Sequence, residues 1–241
     1  MARANLDKDP HQVAAMFDDV AGGYDRANSF MTFGFDRRWR TTTARVLDAR
    51  SGEKVLDLAA GTGVSTAEYS RGGAWCVAAD FSLGMLRRGK HRELPMVAAD
   101  ALRLPFADDS FDAATISFGI RNFVDTKAAL VELLRVVKPG GRLVILEVST
   151  PPFAPIRFLY RMVIRRATTL LGRLTSSNPE AYSYLAESMA AWLDQRALAE
   201  TMAATGWQKV EWLNLTFGAV AIHRAVKPSV APAPRPTTTP E

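Results

Sequence analysis

The stretch Val55 to Gly63, VLDLAAGTG, runs an apolar segment into a turn of small residues, with a helix expected from about Val64. Glycines at 61 and 63 let backbone N–H groups come close to a ligand, and a helix start favours polar or anionic groups there. Asp80 closes the next apolar run, where a carboxylate can accept both hydroxyls of a ribose. Asp100 closes the run after that, in AADAL, and Ala101 beside it offers backbone contacts to an adenine ring. Either acid alone would pass for a helix cap. Polar positions at three successive strand ends instead describe a crevice for an adenosine-bearing cofactor at the carboxyl edge of a sheet. Thr66 stands where a phosphate-gripping GxGxxG needs its third glycine, and no Gly-Lys-Ser/Thr follows, so a dinucleotide site or a P-loop fits poorly.

Positioning these groups requires alternating strands and helices. Apolar runs recur at KVLDLAAG, AWCVAADFS, LPMVAADA, FDAATISFG and GRLVILEVS, separated by helical stretches such as TKAALVELLRVVK. This is the pattern of βαβ units and a parallel sheet covered by helices. WQKVEWLNLT and GAVAIHRAV add two strands that are close enough in sequence to pair antiparallel. The expected fold is therefore α/β and Rossmann-like, with seven strands, mostly parallel, and an antiparallel terminal strand. Residues 1–226 form one domain, with a helical lid region over 1–50 and a helical insertion facing substrate or membrane over 151–200. A Pro/Thr-rich tail over 227–241 is expected to be disordered.

The 241 residues are enough for one sizeable core. A single cysteine, Cys76, excludes a disulfide framework, and His11, His91 and His223 form no helical ligand pair, so no metal site is expected. A net charge of +5 arises without polycationic runs. No nucleic-acid partner is expected. The acid-containing N-terminus has no apolar core of a signal peptide, and no window is long and apolar enough to cross a bilayer, so a cytoplasmic location is expected.

VLDLAAGTG, VAADFS, AADALRLPF, FDAATISFG and LRVVKPGGRLVILE, in this order, resemble the motif series of class I S-adenosylmethionine-dependent methyltransferases. The resemblance implies that cofactor, held by Gly61, Thr62, Gly63, Asp80, Asp100, Ala101 and Ser117. Outside the series, MFDDVAGGYDRANSFMTFGFDRRW, SFGIRNFVD, AYSYLAESMAAWLDQ and NLTFGAVAIHR are similar to the ubiquinone/menaquinone biosynthesis C-methyltransferase family. The implied reaction is C-methylation of the reduced ring of demethylmenaquinol. The alternative is another lipid or small aromatic acceptor, a ubiquinone precursor included. Ala60, Ala27 and Asp36 depart from the common family pattern, and Asp36 removes a histidine that could act as acid or base.

A quinol carbon becomes nucleophilic when its phenol ionises, so a cation or base is needed near it. Arg121, with Asn122 to orient the ring oxygen, is the first candidate. Tyr24 and Asp25 fall in the lid. Tyr182 and Tyr184 would line an aromatic pocket if their chain is extended, and His223 has a suitable ordinary pKa but sits in an apolar strand. An isoprenoid quinol has to be met at a membrane. Over Ile156 to Leu174 the arginines 157, 161, 165, 166 and 173 gather on one half of a helical wheel with Phe158 and Met162 among them and no acid, as in a helix on the inner, anionic face of a bilayer or, alternatively, one packed on the core with a solvated arginine face. Sequence leaves the oligomeric state open.

Overall fold

In β1 (Lys54–Leu58) every residue after Lys54 is buried, and alternate side chains enter opposite layers: Val55 on one face, Leu56 and Leu58 on the other. A computed structural model describes residues 8–22, 24–160, 162 and 179–229. The side chains of Tyr24 and Tyr182 fall outside the described set, as do Arg161, Arg165, Arg166 and Arg173 of the basic stretch and the tail beyond Ser229.

The chain opens with α1 (Pro10–Val20), α2 (Tyr24–Met31) and α3 (Phe35–Leu47). After β1 come α4 (Val64–Tyr69), β2 (Trp75–Asp80), α5 (Leu83–Gly89), β3 (Met96–Ala98), β4 (Phe111–Ser117), α6 (Thr126–Val136) and β5 (Val137–Val148). Then follow α7 (Pro179–Ala190), α8 (Gln195–Ala204), β6 (Gln208–Leu215) and β7 (Val220–Val226). One seven-stranded sheet has the order β3-β2-β1-β4-β5-β7-β6. The first five strands pair in parallel, and β7 enters antiparallel between β5 and β6. The reversal in strand order falls between β1 and β4, where such sheets open a crevice at their carboxyl edge.

One face of the sheet packs Leu56, Ile116 and Ile145 against Leu130 and Leu133 of α6 and Leu198 and Met202 of α8. The other packs Val55, Val144 and Ile222 against Leu47 and Tyr69. Asp125 and Asp194 start α6 and α8 by accepting from the amides of Ala128 and Ala197. The KPGG segment bulges out of β5 opposite Phe111 and Ala113. A Cβ on Gly141 would meet the carbonyl oxygens of Asp112 and Lys138 at 2.8 Å, so only glycine lets the strand resume its ladder there. Among the described residues no helix is long and apolar enough to cross a membrane.

Candidate active site

The turn after β1 is shaped by left-handed backbone at Ala59 (φ +55°), Gly61 (φ +58°) and Gly63 (φ +76°). It is pinned by Ala60 N donating to Ala79 O at 3.1 Å and Gly63 N to Ala60 O at 2.9 Å. Asp80, at the end of β2, binds it from the side: Oδ2 accepts the Gly61 amide at 2.7 Å and Oδ1 the Ser82 amide at 2.8 Å. Burial pushes the Asp80 carboxyl up, and these amides pull it back.

Above the turn is a cleft of about 1120 Å³, its mouth included. Gly61, Thr62, Asp80, Asp100, Ala101 and Ser117 all line it; Gly63 shapes the turn from outside the lining. Asp100 Oδ1 accepts the Leu102 amide at 2.9 Å, and Ser117 Oγ lies 2.8 Å from the Tyr69 hydroxyl.

Beneath the turn is a group that the sequence reading passed over. Asp57 is fully buried; Oδ2 accepts from Thr66 Oγ1 at 2.5 Å, while Oδ1 has no partner among the described residues. The missing third glycine is thus explained, because Thr66 supplies the hydroxyl that holds this carboxyl. The available signal was an acid inside an otherwise apolar strand. Burial first, and the charge of Asp80 after it, push Asp57 up to about 7. A carboxyl raised in the folded state favours the fold when protonated, so this stability is complete below the ordinary value of 3.8 and is lost as pH rises through about 7. Chemical denaturation between pH 4 and 7 is expected to show stability falling as pH rises, and Asp57→Asn to flatten that slope. An unchanged slope in the variant would refute the assignment.

The N-terminal helices reach the same turn. Asp25 of α2 accepts from Thr62 Oγ1 at 2.9 Å, and Arg92 joins both by donating to the Thr62 carbonyl at 2.9 Å and to Asp25 at 3.1 Å. Asp18 of α1 accepts from the Ser82 hydroxyl and, at 2.8 Å, from the Gly84 amide. A Cβ on Gly84 would come within 2.6 Å of Asp18, so glycine is what lets α1 dock on α5. Asp36, expected only as a lost histidine, is a buried joint between α2 and α3: it accepts from Ser29 at 3.0 Å and Thr32 at 3.1 Å and pairs with Arg40.

At the inner wall Asn122 lines the cleft, and its Oδ1 accepts from the Tyr184 hydroxyl at 3.2 Å. Arg121 turns away from the cleft. Its Nη1 donates to Glu147 Oε1 at 2.7 Å and to the Phe118 carbonyl at 2.6 Å, with both side chains almost fully buried. The expected phenolate-stabilising cation is therefore already balanced by a carboxylate. Lys8 stands near this pair with its Nζ 5.7 Å from the Trp192 ring centre; burial, then the charge of Arg121, holds it below the usual lysine range. Tyr160 also lies close, its hydroxyl pushed up to about 12 by burial. The sequence reading missed Glu147, Lys8 and Tyr160, which meet only through the fold.

Two expectations need correction. The chain around Tyr182 and Tyr184 is helical, so the extended backbone on which their aromatic pocket depended is absent. Tyr184 packs with Val13 and Met16 instead. His223 lies in mid-strand with Nε2 2.8 Å from the Gln195 carbonyl oxygen, and burial lowers its pKa; it is a core histidine that does not line the cleft.

Comparison with known proteins settles the family: residues 5–227 match the model of the ubiE/COQ5 methyltransferase family. The chain belongs to the ubiE/COQ5 methyltransferase family. This methyltransferase is 57% identical to the demethylmenaquinone methyltransferase of Corynebacterium efficiens, over 95% of its own length and 99% of the relative's. It is 58% identical to that of Mycobacterium marinum, with the same coverage. A methyltransferase structure from Thermotoga maritima, described as a possible histamine N-methyltransferase, superimposes with a TM-score of 0.66 at 19% identity, covering 88% of this chain and 98% of that one. Phosphoethanolamine N-methyltransferase 2 of Haemonchus contortus, solved with S-adenosyl-L-methionine, gives 0.55 at 16%, covering 75% of this chain and 50% of that one. At such identities these structures speak for the class I methyltransferase fold alone.

Proposed function

We propose that this methyltransferase moves the methyl group of S-adenosylmethionine to the ring carbon of demethylmenaquinol, giving menaquinol. The observation that carries the reading is the 57% identity to a demethylmenaquinone methyltransferase over nearly the whole of both chains. The cleft fits the cofactor. Asp80 is assigned the ribose hydroxyls, Ala101 the adenine, and Gly61 and Thr62, which line the cleft at the turn, the amino-acid portion. Bound there, the sulfonium supplies an electrophilic methyl group, so no covalent enzyme intermediate is needed.

The protein's share is then orientation and charge. The quinol loses a phenolic proton, its electron pair moves to the adjacent ring carbon, and that carbon takes the methyl while the carbon–sulfur bond breaks. Loss of the ring proton restores aromaticity as the phenolate, and the oxygen regains a proton to give the methylated quinol, so one proton is released for each methyl group moved. Asn122, held by Tyr184, is assigned to the ring oxygen. Arg121 acts from behind it as a positioning residue, its guanidinium fixed by Glu147. Helices α1 and α2 serve as a lid through Asp18 and Asp25. An isoprenoid quinol brings the enzyme to the membrane surface from the aqueous side.

The test is incubation with methyl-labelled cofactor and short-tailed demethylmenaquinone, reduced in one arm and oxidised in the other. Label should enter only the reduced ring. Cofactor binding without transfer to any reduced quinone would end the substrate assignment and leave the family unaffected.

A further inference from the structure

Among the described residues, the five most exposed large apolar side chains are Phe33 (88%), Phe217 (77%), Phe158 (73%), Phe30 (72%) and Phe153 (62%), in or beside three segments. Phe33 belongs to the α2–α3 turn, Phe217 to the β6–β7 turn and Phe153 to the segment after β5. These turns adjoin one another. Trp39 Nε1 of α3 donates to Thr216 Oγ1 at 2.9 Å, and a Cβ on Gly218 would stand 2.6 Å from Pro152. Because β7 runs antiparallel, the turn before it sits at the carboxyl edge of the sheet, the same edge as the cleft.

Phe33 and Phe217 both have left-handed backbone, φ +50° and +57°, a conformation that glycine or asparagine would hold at less cost. Strain is being spent to point phenyl rings at solvent, which a packed core does not require. The charge around them has one sign outward. Arg37 and Arg38 are exposed, Arg38 lies 5.8 Å from the Phe35 ring centre, and the acid of that turn, Asp36, is buried against Arg40. The segments 149–158 and 212–219 carry Arg157 and no acid.

We propose that this edge, from the α2–α3 turn across the β6–β7 turn to Phe153, docks into an anionic lipid bilayer. The phenyl rings enter the acyl boundary and the arginines meet the headgroups. A chain of aromatic rings links the edge to the site. Phe35 stacks on Trp39 with ring centres 6.3 Å apart, Trp39 packs on Phe118 at 5.8 Å, and Phe118 lines the cleft. It marks the route by which a lipid-borne ring reaches the cofactor while its tail stays in the bilayer. That role of the chain rests on the quinol reading; the docking surface itself does not.

The test is co-sedimentation of the full-length protein with phosphatidylcholine vesicles, with or without about 30% phosphatidylglycerol. Phe33→Asn/Phe217→Asn keeps residues that tolerate the left-handed backbone, and Arg37→Glu/Arg38→Glu reverses the charge. Wild type should bind the anionic vesicles, more weakly at high salt, and each double variant should bind about tenfold less with an unchanged melting temperature. Turnover of a short-tailed, water-soluble quinol should be unaffected, and turnover of a vesicle-embedded long-tailed quinol should fall about tenfold. Equal vesicle binding by wild type and variants would overturn the proposal, as would wild type that ignores vesicles and instead self-associates through this edge in sedimentation equilibrium. If no quinol of any tail is methylated while the variants still lose vesicle binding, the substrate reading fails and the docking surface stands.

Discussion

Asp80→Ala is expected to weaken binding of S-adenosylmethionine by about a hundredfold. The carboxylate holds the Gly61 and Ser82 amides at 2.7 and 2.8 Å, and is assigned the ribose hydroxyls as well. Each charge-assisted hydrogen bond is worth about 1.5–3 kcal/mol, so the loss of the ribose contact plus a loosened turn amounts to about 3 kcal/mol, or two decades of affinity. Titration calorimetry with the cofactor and with its demethylated product should show the same loss, because the ribose is common to both. Asp80→Asn, which keeps an acceptor oxygen but no charge, should fall between. A change of less than about threefold in the alanine variant would remove Asp80 from the cofactor site.

Glu147→Leu should be the most damaging single substitution at the inner wall. It leaves Arg121 buried without its carboxylate, and breaking such a pair from one side costs about 3–5 kcal/mol. For a chain of this size that corresponds to a fall in melting temperature of roughly 10 °C. Lys8, coupled electrostatically to the same pair, adds a second positive charge to the uncompensated site. The double variant Arg121→Met/Glu147→Leu is expected to recover most of the stability, since it removes both charges at similar volume. It should not recover methyl transfer. Full turnover in a stably folded double variant would assign the pair to architecture alone and take Arg121 out of the reaction.

Much of the fold was legible because both faces of the sheet are covered, which makes the strands near-continuous apolar runs with turn residues behind them. The antiparallel pairing of β6 with β7 followed from the short connection through Phe217 and Gly218. Gly61, Asp80, Asp100 and Ala101 were also readable, since a single topological rule brings consecutive strand ends to one edge. Arg121 and Asn122 were adjacent in sequence, yet their destinations differ: one faces Glu147 and the other the cleft. That distinction depends on a short 3-10 turn over Ile120–Asn122, which no periodicity announces. Glu147 reads in sequence as one polar residue in a strand, Lys8 as a charge in a leader segment, and Asp36 as a substituted position. Their partners lie on other elements, and side-chain direction decided each case. Tyr184 lies in a segment expected to be helical, but its partners Val13, Met16 and Asn122 come from distant elements that no local pattern names.

The antiparallel course of β7 has a practical corollary. Its last residues return to the edge of the sheet opposite the cleft, where Lys227 pairs with the Gly140 and Gly141 backbone and its ammonium meets Asp109. A strand of seven residues spans roughly 20 Å, so a handle fused after Ser229 departs about that far from the cleft. A protein tethered to a sensor chip by that handle would present its reactive edge outward, whereas tethering through the N-terminal helices would pull on the segments that close over the turn.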